Sequence, residues 1–569
     1  MKPYLLLLVS LCCTCLCEAQ NRYDIVIDEI MADPQPPIGL PNAEWIELKN
    51  TTTAPVDLQN WRIGDASGQS GPMPAFILQP GEFLIVCTGS AATGLSAFGN
   101  VISVTSFPSL DNDGDQLFLK AANGMIIHAV SYTAAWYNNT LKKDGGWSLE
   151  MTDPQYPCAG SSNWKASTDA SGGTPGKINS VNGTISDATA PQLKRAYTTG
   201  TTTIILVYDE PVDSTSGATV ANYTIDGGIS VVNAATLAPL FNEVQLQTNN
   251  PLAANTVYTI TAVNVKDCKG NPIGAANKIR VGLPADPVPG DLAINEILFN
   301  PRPNAFDYIE IYNNSNKLFD ASRLYIANRN SSNAINSVVP LSAAHFYIFP
   351  GDYIVVTEDA DNLALQYLVQ NPDAVLVASS LPSFPDDKGF AVLLNAQGEI
   401  ADEVDYLDDW HFKLIADAEG VSLERIDPAG PSRDAPNWHS AASTAGYGTP
   451  TYKNSQFKNP QGITAAVNVS PKVFSPDNDG LDDIAMIQYA IDEPGFVANI
   501  TIFDAAGRPV KSLVRNGTLS SSGYWNWDGL NDKGQKLPVG TYIVLTELFN
   551  LQGKKQTFKN AVVLARKLN

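Results

Sequence analysis

Ile27-Asp28-Glu29-Ile30-Met31-Ala32-Asp33-Pro34 returns much later in the chain as Ile294-Asn295-Glu296-Ile297-Leu298-Phe299-Asn300-Pro301. The likeness spreads outward from this seed. Glu44-Trp45-Ile46-Glu47-Leu48-Lys49-Asn50 returns as Asp307-Tyr308-Ile309-Glu310-Ile311-Tyr312-Asn313, and Trp61-Arg62-Ile63 as Leu324-Tyr325-Ile326. Further on, Trp147-Ser148-Leu149-Glu150, Asn163-Trp164 and Gly173-Thr174-Pro175 return in the same order as Val421-Ser422-Leu423-Glu424, Asn437-Trp438 and Gly448-Thr449-Pro450. A long unit is therefore used twice. Within each copy a Pro-Gly turn, Pro80-Gly81 or Pro350-Gly351, precedes an alternating strand, Phe83-Leu84-Ile85-Val86 or Tyr353-Ile354-Val355-Val356. Such short strands punctuated by turns predict a β-sandwich.

These ordered motifs resemble the lamin-tail domain family over roughly residues 21–180 and 290–455. The resemblance implies an Ig-like β-sandwich that serves as a binding or tethering module, and it implies no catalysis. Between the copies, Ala190-Pro191, Asp209-Glu210-Pro211-Val212, Asn222-Tyr223-Thr224 and Lys266-Asp267-Cys268-Lys269-Gly270-Asn271 resemble, in that order, the bacterial Ig-like spacers of surface proteins. The proline-rich segment 284–290 reads as a semi-rigid spacer. Phe474-Ser475-Pro476, Trp527-Asp528-Gly529 and Pro538-Val539-Gly540-Thr541-Tyr542 resemble the Ig-like domain of flagellar hook-capping proteins and the C-terminal domains of type IX secretion substrates. The expected organisation is all-β, a row of tandem Ig-like sandwiches. A signal peptide spans 1–19, lamin-tail copies 20–183 and 289–460, an Ig-like domain 184–288, and a hook-capping-like sorting domain 461–569. The best helix candidate, Ala360 to Gln370, has the length of a small crossover helix.

The start of the chain reads as a secretory signal: Lys2, an apolar run through Leu11, and Cys17-Glu18-Ala19 before a cut at Gln20. The crowd of Cys12, Cys13, Cys15 and Cys17 raises the alternative of a lipidated anchor, against which stands the bulky Leu16 before Cys17. No later segment is long and apolar enough to cross a membrane as a helix. The net charge of −22 disfavours nucleic acid and anionic lipid, which both need basic patches. Past the signal only Cys87, Cys158 and Cys268 remain, without CxxC spacing. That excludes a disulfide scaffold or thiolate zinc site and leaves room for one disulfide after export.

Asp477-Asn478-Asp479-Gly480-Leu481-Asp482-Asp483 sets carboxylates around a glycine, as in loops that wrap calcium; Asp477, Asp479, Asp482 and Asp483 are the candidate ligands. An acidic turn is the alternative. Asp111-Asn112-Asp113-Gly114-Asp115 has a similar look, but its counterpart Asp386-Asp387-Lys388-Gly389 lacks the pattern, so a hairpin turn is expected there. His128, His345, His411 and His439 stand in no metal-ligand spacing and read as structural. Glu29, Glu47, Glu296 and Glu310 recur in both copies; a glycosidase pair is one reading, and a solvent-facing or buried hydrogen-bonded glutamate of the fold is the other. Trp45, Trp61, Trp147, Trp164, Trp525 and Trp527 read mostly as core, with sugar stacking as the alternative. The expected function is non-enzymatic adhesion, tethering or envelope binding at the cell surface, toward a surface protein or glycan. A secreted hydrolase, or the accessory subunit of an exported enzyme, is the alternative.

Overall fold

The computed structural model describes residues 21–415, 417–458, 465–477, 480–491 and 493–566. The proposed signal peptide lies outside them. Two compact units are present: one holds residues up to 251 with 258–280, the other 252–257 with 281 onward. Each unit pairs a lamin-tail sandwich with a smaller β-sandwich.

The first copy is built on a six-stranded sheet in the order Trp164–Ala166, Leu149–Met151, Ile25–Met31, Trp45–Asn50, Phe83–Cys87, Val101–Ser103. All neighbours are antiparallel except the last pair. One face packs on the sheet of Arg62–Gly64, Gly114–Lys120 and Ile126–Thr133 through Ile27, Ile30, Leu48, Trp61, Leu117 and Ile127. The other face is covered as well, by Leu40, Ala91 and Leu95 over Met31, Trp45 and Ile85. That double cover is why Ile25–Met31 is buried at every position instead of alternating. The second copy repeats the topology: Val375–Val377, Tyr353–Thr357, Tyr308–Asn313, Leu292–Leu298, Leu423–Arg425, Trp438–Ser440. Even the irregularity is kept. A β-bulge falls between Ile27 and Glu29 in one copy and between Ile294 and Glu296 in the other.

In the first unit the Ig-like domain has sheets of four strands (Leu193–Thr198, Thr203–Tyr208, Glu243–Thr248, Val231–Leu237) and three (Tyr223–Ile225, Tyr258–Ala262, Lys278–Val281). A Cys158–Cys268 disulfide ties it to the lamin-tail copy across 110 residues of sequence. Arg22 reinforces the joint, donating to the Val212 carbonyl at 3.1 Å and the Ser214 hydroxyl at 3.0 Å. Cys87 is left as a buried thiol in the sheet, and burial pushes its pKa up to about 11.

In the second unit the last sandwich sets Ala466–Ser470, Ala485–Ala490 and Ser522–Trp527 against a five-stranded sheet around Val497–Phe503 and Gly540–Phe549, over Phe474, Trp527 and Tyr542. It is joined to the second lamin-tail copy by Ser443 N–H to Thr518 Oγ1 (2.8 Å), Gln456 Nε2 to the Leu519 carbonyl (3.0 Å) and Ser521 N–H to the Ser455 carbonyl (3.0 Å).

Two expectations need correction. The segment 284–290 is no free spacer: Ala285 N–H donates to Leu318, Asp286 pairs with Arg323 and Pro287 accepts from Asn395, so it lies along the second lamin-tail copy. Residues 111–114 make no hairpin. They turn the chain from Val101–Ser103 in one sheet to Gly114–Lys120 in another, with the Gly114 N–H on the Asp111 carbonyl. The helix candidate forms, shortened to Ala360–Gln366 and capped by the Asp359 side chain on the Asn362 N–H.

Candidate functional site

The bulge turns Glu29 out of the main core, onto the side of the sheet crossed by residues 172–181. Cross-strand register sets Glu29 opposite both Glu47 and Glu150, three carboxyls on adjacent strands with no solvent exposure. The segment after Gly173 is fastened to them. The Thr174 N–H donates to Glu29 Oε1 at 2.8 Å, the Gly176 N–H to Glu47, and Ser180 Oγ and the Val181 N–H to Glu150 Oε2 at 2.7 and 3.1 Å. Asn179 Nδ2 closes the clasp on the Asp28 and Met151 carbonyls. The second copy repeats it almost atom for atom: Thr449 N–H to Glu296 (2.9 Å), Thr451 N–H to Glu310 (2.7 Å), Ser455 Oγ and Gln456 N–H to Glu424 (2.7 and 2.8 Å), and Asn454 Nδ2 to the Asn295 and Arg425 carbonyls.

Glu29, Glu47, Glu296, Glu310 and Glu424 are all pushed toward the protonated form. Thr174 Oγ1 lies 2.8 Å from Glu150 Oε1 and 3.3 Å from Glu29 Oε2, so one hydroxyl hydrogen faces two carboxyl oxygens and a carboxyl proton fills the second contact. Burial, then the Glu150 charge, pushes Glu29 up to about 8; burial, then Glu296, pushes Glu424 to about 8; Glu47, Glu296 and Glu310 are raised mainly by burial. The buried hydrogen-bonded reading of Glu29, Glu47, Glu296 and Glu310 is thus the one the geometry supports. Apart from Glu47 Oε1, which is buried without a partner, their oxygens face amides and hydroxyls of the same chain. The repeated Asn-Ser of the clasp, Asn179-Ser180 and Asn454-Ser455, was the missed signal, five residues after the repeated threonine.

The histidines fall into structural settings. His128 Nδ1 accepts from the Ile27 N–H and His411 Nδ1 lies 2.9 Å from Ser440 Oγ; burial lowers both rings to about 4. Asp320, His345 and Ser322 do meet, but Asp320 and Ser322 approach the same ring nitrogen, at 2.6 and 3.4 Å, and Ser322 donates to Asp320. A nucleophile relay needs the serine on the opposite nitrogen.

In the last domain Asp483 accepts the N–H groups of Asp477 (3.1 Å) and Gly480 (2.9 Å), and the Asp482 carbonyl accepts from the Ser475 N–H. Asp483 therefore organises an acidic turn. Asp479 lies outside the described residues. Among the described residues the carboxylates close enough to share a cation are Asp187, Glu210 and Asp267, beside the disulfide-linked joint. They come from three separate stretches, and sequence reading did not connect them.

The remaining feature is a pair of outer grooves. In each copy a short 3₁₀ turn after the last long strand, Ala134–Tyr137 or Asp408–Trp410, sets a tryptophan against the one in the Asn-Trp motif. Trp136 and Trp164 have ring centroids 6.3 Å apart, as do Trp410 and Trp438. Trp45, Trp61, Trp164 and Trp527 are core residues, as expected.

The Lamin Tail Domain family model matches residues 18–134 and 285–408, the Bacterial Ig-like domain model 184–280, and the CHU_C Type IX secretion signal domain model 468–564. The chain is a multidomain β-sandwich protein of the exported, cell-surface class. It carries two lamin-tail domains, a bacterial Ig-like domain and a type IX secretion signal domain, and the last of these implies engagement of the secretion machinery. No curated protein matches it. Among solved structures it is similar to the N-terminal part of the bacterial S-layer protein SbsC (13% identity, 30% of this chain and 40% of that one, TM-score 0.16). It is similar also to dimeric latent PorU from Porphyromonas gingivalis (10%, 71% and 35%, 0.15) and to a DUF4876 family protein from Bacteroides thetaiotaomicron (14%, 37% and 84%, 0.19). The chain spans under half of the first two, and at these TM-scores none of the three bears on function. Among the described residues, no helix is long and apolar enough to cross a membrane.

Proposed function

We propose that this cell-surface protein acts without catalysis, as an adhesion or tethering protein that presents the outer surfaces of its lamin-tail domains to a surface protein or glycan. One observation carries the reading. The carboxyl clusters buried in the lamin-tail domains face the chain's own amides and hydroxyls, while the first copy keeps an open aromatic groove on its exterior. Residues 21–569 should show no turnover on nucleic acid, phosphoester, peptide or glycan substrates, and cells lacking the protein should lose attachment that the intact chain restores. Turnover that survives repurification and is abolished by one carboxylate or histidine substitution would overturn the reading in favour of a hydrolase.

A further inference from the structure

The grooves of the two lamin-tail domains are the same surface met in two states. Chain order pairs Ala135, Trp136, Tyr137, Asn138 and Asn139 with Asp409, Trp410, His411, Phe412 and Lys413, and Ser161, Trp164 and Lys165 with Ala435, Trp438 and His439. Both sets line a groove. In the second copy the far wall belongs to the last domain: Glu493, Pro494 and Gly495 on one turn, Asn550 to Gln552 and Lys554 on another. Gly495 sits so close to the His439 ring that a Cβ there would lie 3.4 Å from Nε2. In the first copy the lining of the groove, about 770 Å³, comes entirely from the lamin-tail domain itself.

The open groove differs from the covered one in charge. Asp409 becomes Ala135, Lys413 becomes Asn139 and His439 becomes Lys165, and Lys142 is added, so the lining carries two lysines and no carboxylate in a chain of net charge −22. Lys165 is exposed, and Leu141, beside Lys142, is 82% exposed. Tryptophan faces supply contact area at low entropic cost, and local positive charge on an acidic molecule selects an acidic partner.

We propose that the groove of the first lamin-tail domain docks an acidic Glu-Pro-Gly-type turn from a β-sandwich domain of another protein, seated beside Trp136 with its carboxylate toward Lys142 and Lys165. This rests on the tethering reading and names the class of partner. The second copy holds its covering turn within the chain; the first takes the same kind of turn in trans.

The test uses purified residues 21–569 and a disulfide-cyclised peptide carrying the sequence Ile491–Phe496, followed by tryptophan fluorescence and by zero-length carbodiimide cross-linking read by mass spectrometry. Saturable binding is expected, with the peptide glutamate cross-linked to Lys165 or Lys142 in preference to the remote, exposed Lys194. Lys165→Glu and a peptide with glutamine for glutamate should each weaken binding about tenfold, and Trp136→Ala should weaken it further. Lys165→Glu changes an exposed side chain, so an unchanged melting temperature separates lost docking from lost folding. Absence of saturable binding, cross-links spread equally to Lys194, indifference to Lys165→Glu, or displacement of the peptide by the neutral sugar cellohexaose would overturn the proposal. Cells displaying the Lys165→Glu chain report on the broader reading separately: attachment that persists while the peptide fails leaves tethering in place and removes this groove from it.

Discussion

Asp28 and Asn295 occupy the same place in the two lamin-tail domains, and only one suits its surroundings. Asn295 Nδ2 donates to Glu310 at 2.8 Å and to Asn454 at 2.7 Å. Both carboxyl oxygens of Asp28 are buried without a hydrogen-bond partner, as is Glu47 Oε1, and burial raises Asp28 to about 7 against the nearby Lys49. Asp28→Asn should therefore stabilise the first copy by about 1–3 kcal/mol above pH 7, and the gain should fade in acid, where Asp28 is already neutral. Thermal melts of both chains across pH check this. The glutamates set a wider trend. A carboxyl whose pKa is higher in the fold than in the unfolded chain binds more protons when folded, so its contribution is intact below about 4.5 and is lost as pH rises through its folded value. With Glu29 and Glu424 near 8, stability should decline from mildly acidic pH to pH 9. A melting temperature that rises over that range would contradict the protonated clasp. At the other end of the chain, Asp483→Ala should lower the melting temperature by releasing two backbone amides, while a chelator should leave it unchanged. A drop with chelator would instead support calcium held at Asp477, Asp479 and Asp482 or Asp483.

The clasp is the element that makes residues 173–181 part of the fold although they form no strand. Thr174→Ala or Thr449→Ala strips a hydroxyl shared by two buried carboxyls and should cost about 1–3 kcal/mol, whereas Thr→Ser should cost much less. Denaturant midpoints of the four variants measure the difference. Much of this was legible in the sequence. The seed strands, their Pro-Gly turns and the tryptophan and glutamate positions recur because a sheet covered on both faces repeats its side-chain pattern wherever it is built again. What could not be read was partnership. Glu29 lies far from Thr174 in the chain, and only the return of residues 172–181 across the sheet brings them together. Trp136 and Trp410 went unnoticed for a related reason: each stands in a turn whose flanking residues differ between copies, so neither belongs to a repeated string. Asp187, Glu210 and Asp267 come from three separate stretches of the Ig-like domain, and a repeat shared by the lamin-tail copies says nothing about the inside of that domain.

Across the whole molecule the domains work in pairs. Removing residues 461–569 deletes the secretion signal domain and also the turns that cover the groove of the second lamin-tail copy. The truncated chain should remain in the periplasm, as fractionation and surface protease accessibility would show; normal display would contradict the sorting role. Export also explains which cysteine pairing is usable. Three cysteines allow three pairings on paper, but Cys87 is sealed into a sheet, leaving Cys158 and Cys268. Their bridge has a mechanical meaning for the tethering role proposed above. Tension entering the lamin-tail copy at one end and leaving past Cys268 runs through the sulfur bridge and bypasses the loop between, which contains nearly all of the Ig-like domain. With the cysteines 110 positions apart in sequence, the loop withholds roughly 360–400 Å of extensible chain. A single-molecule pulling trace should lack that step under oxidising conditions and gain it when a reductant is added, so that the redox state of the surroundings sets how far the protein can stretch before its load is passed on.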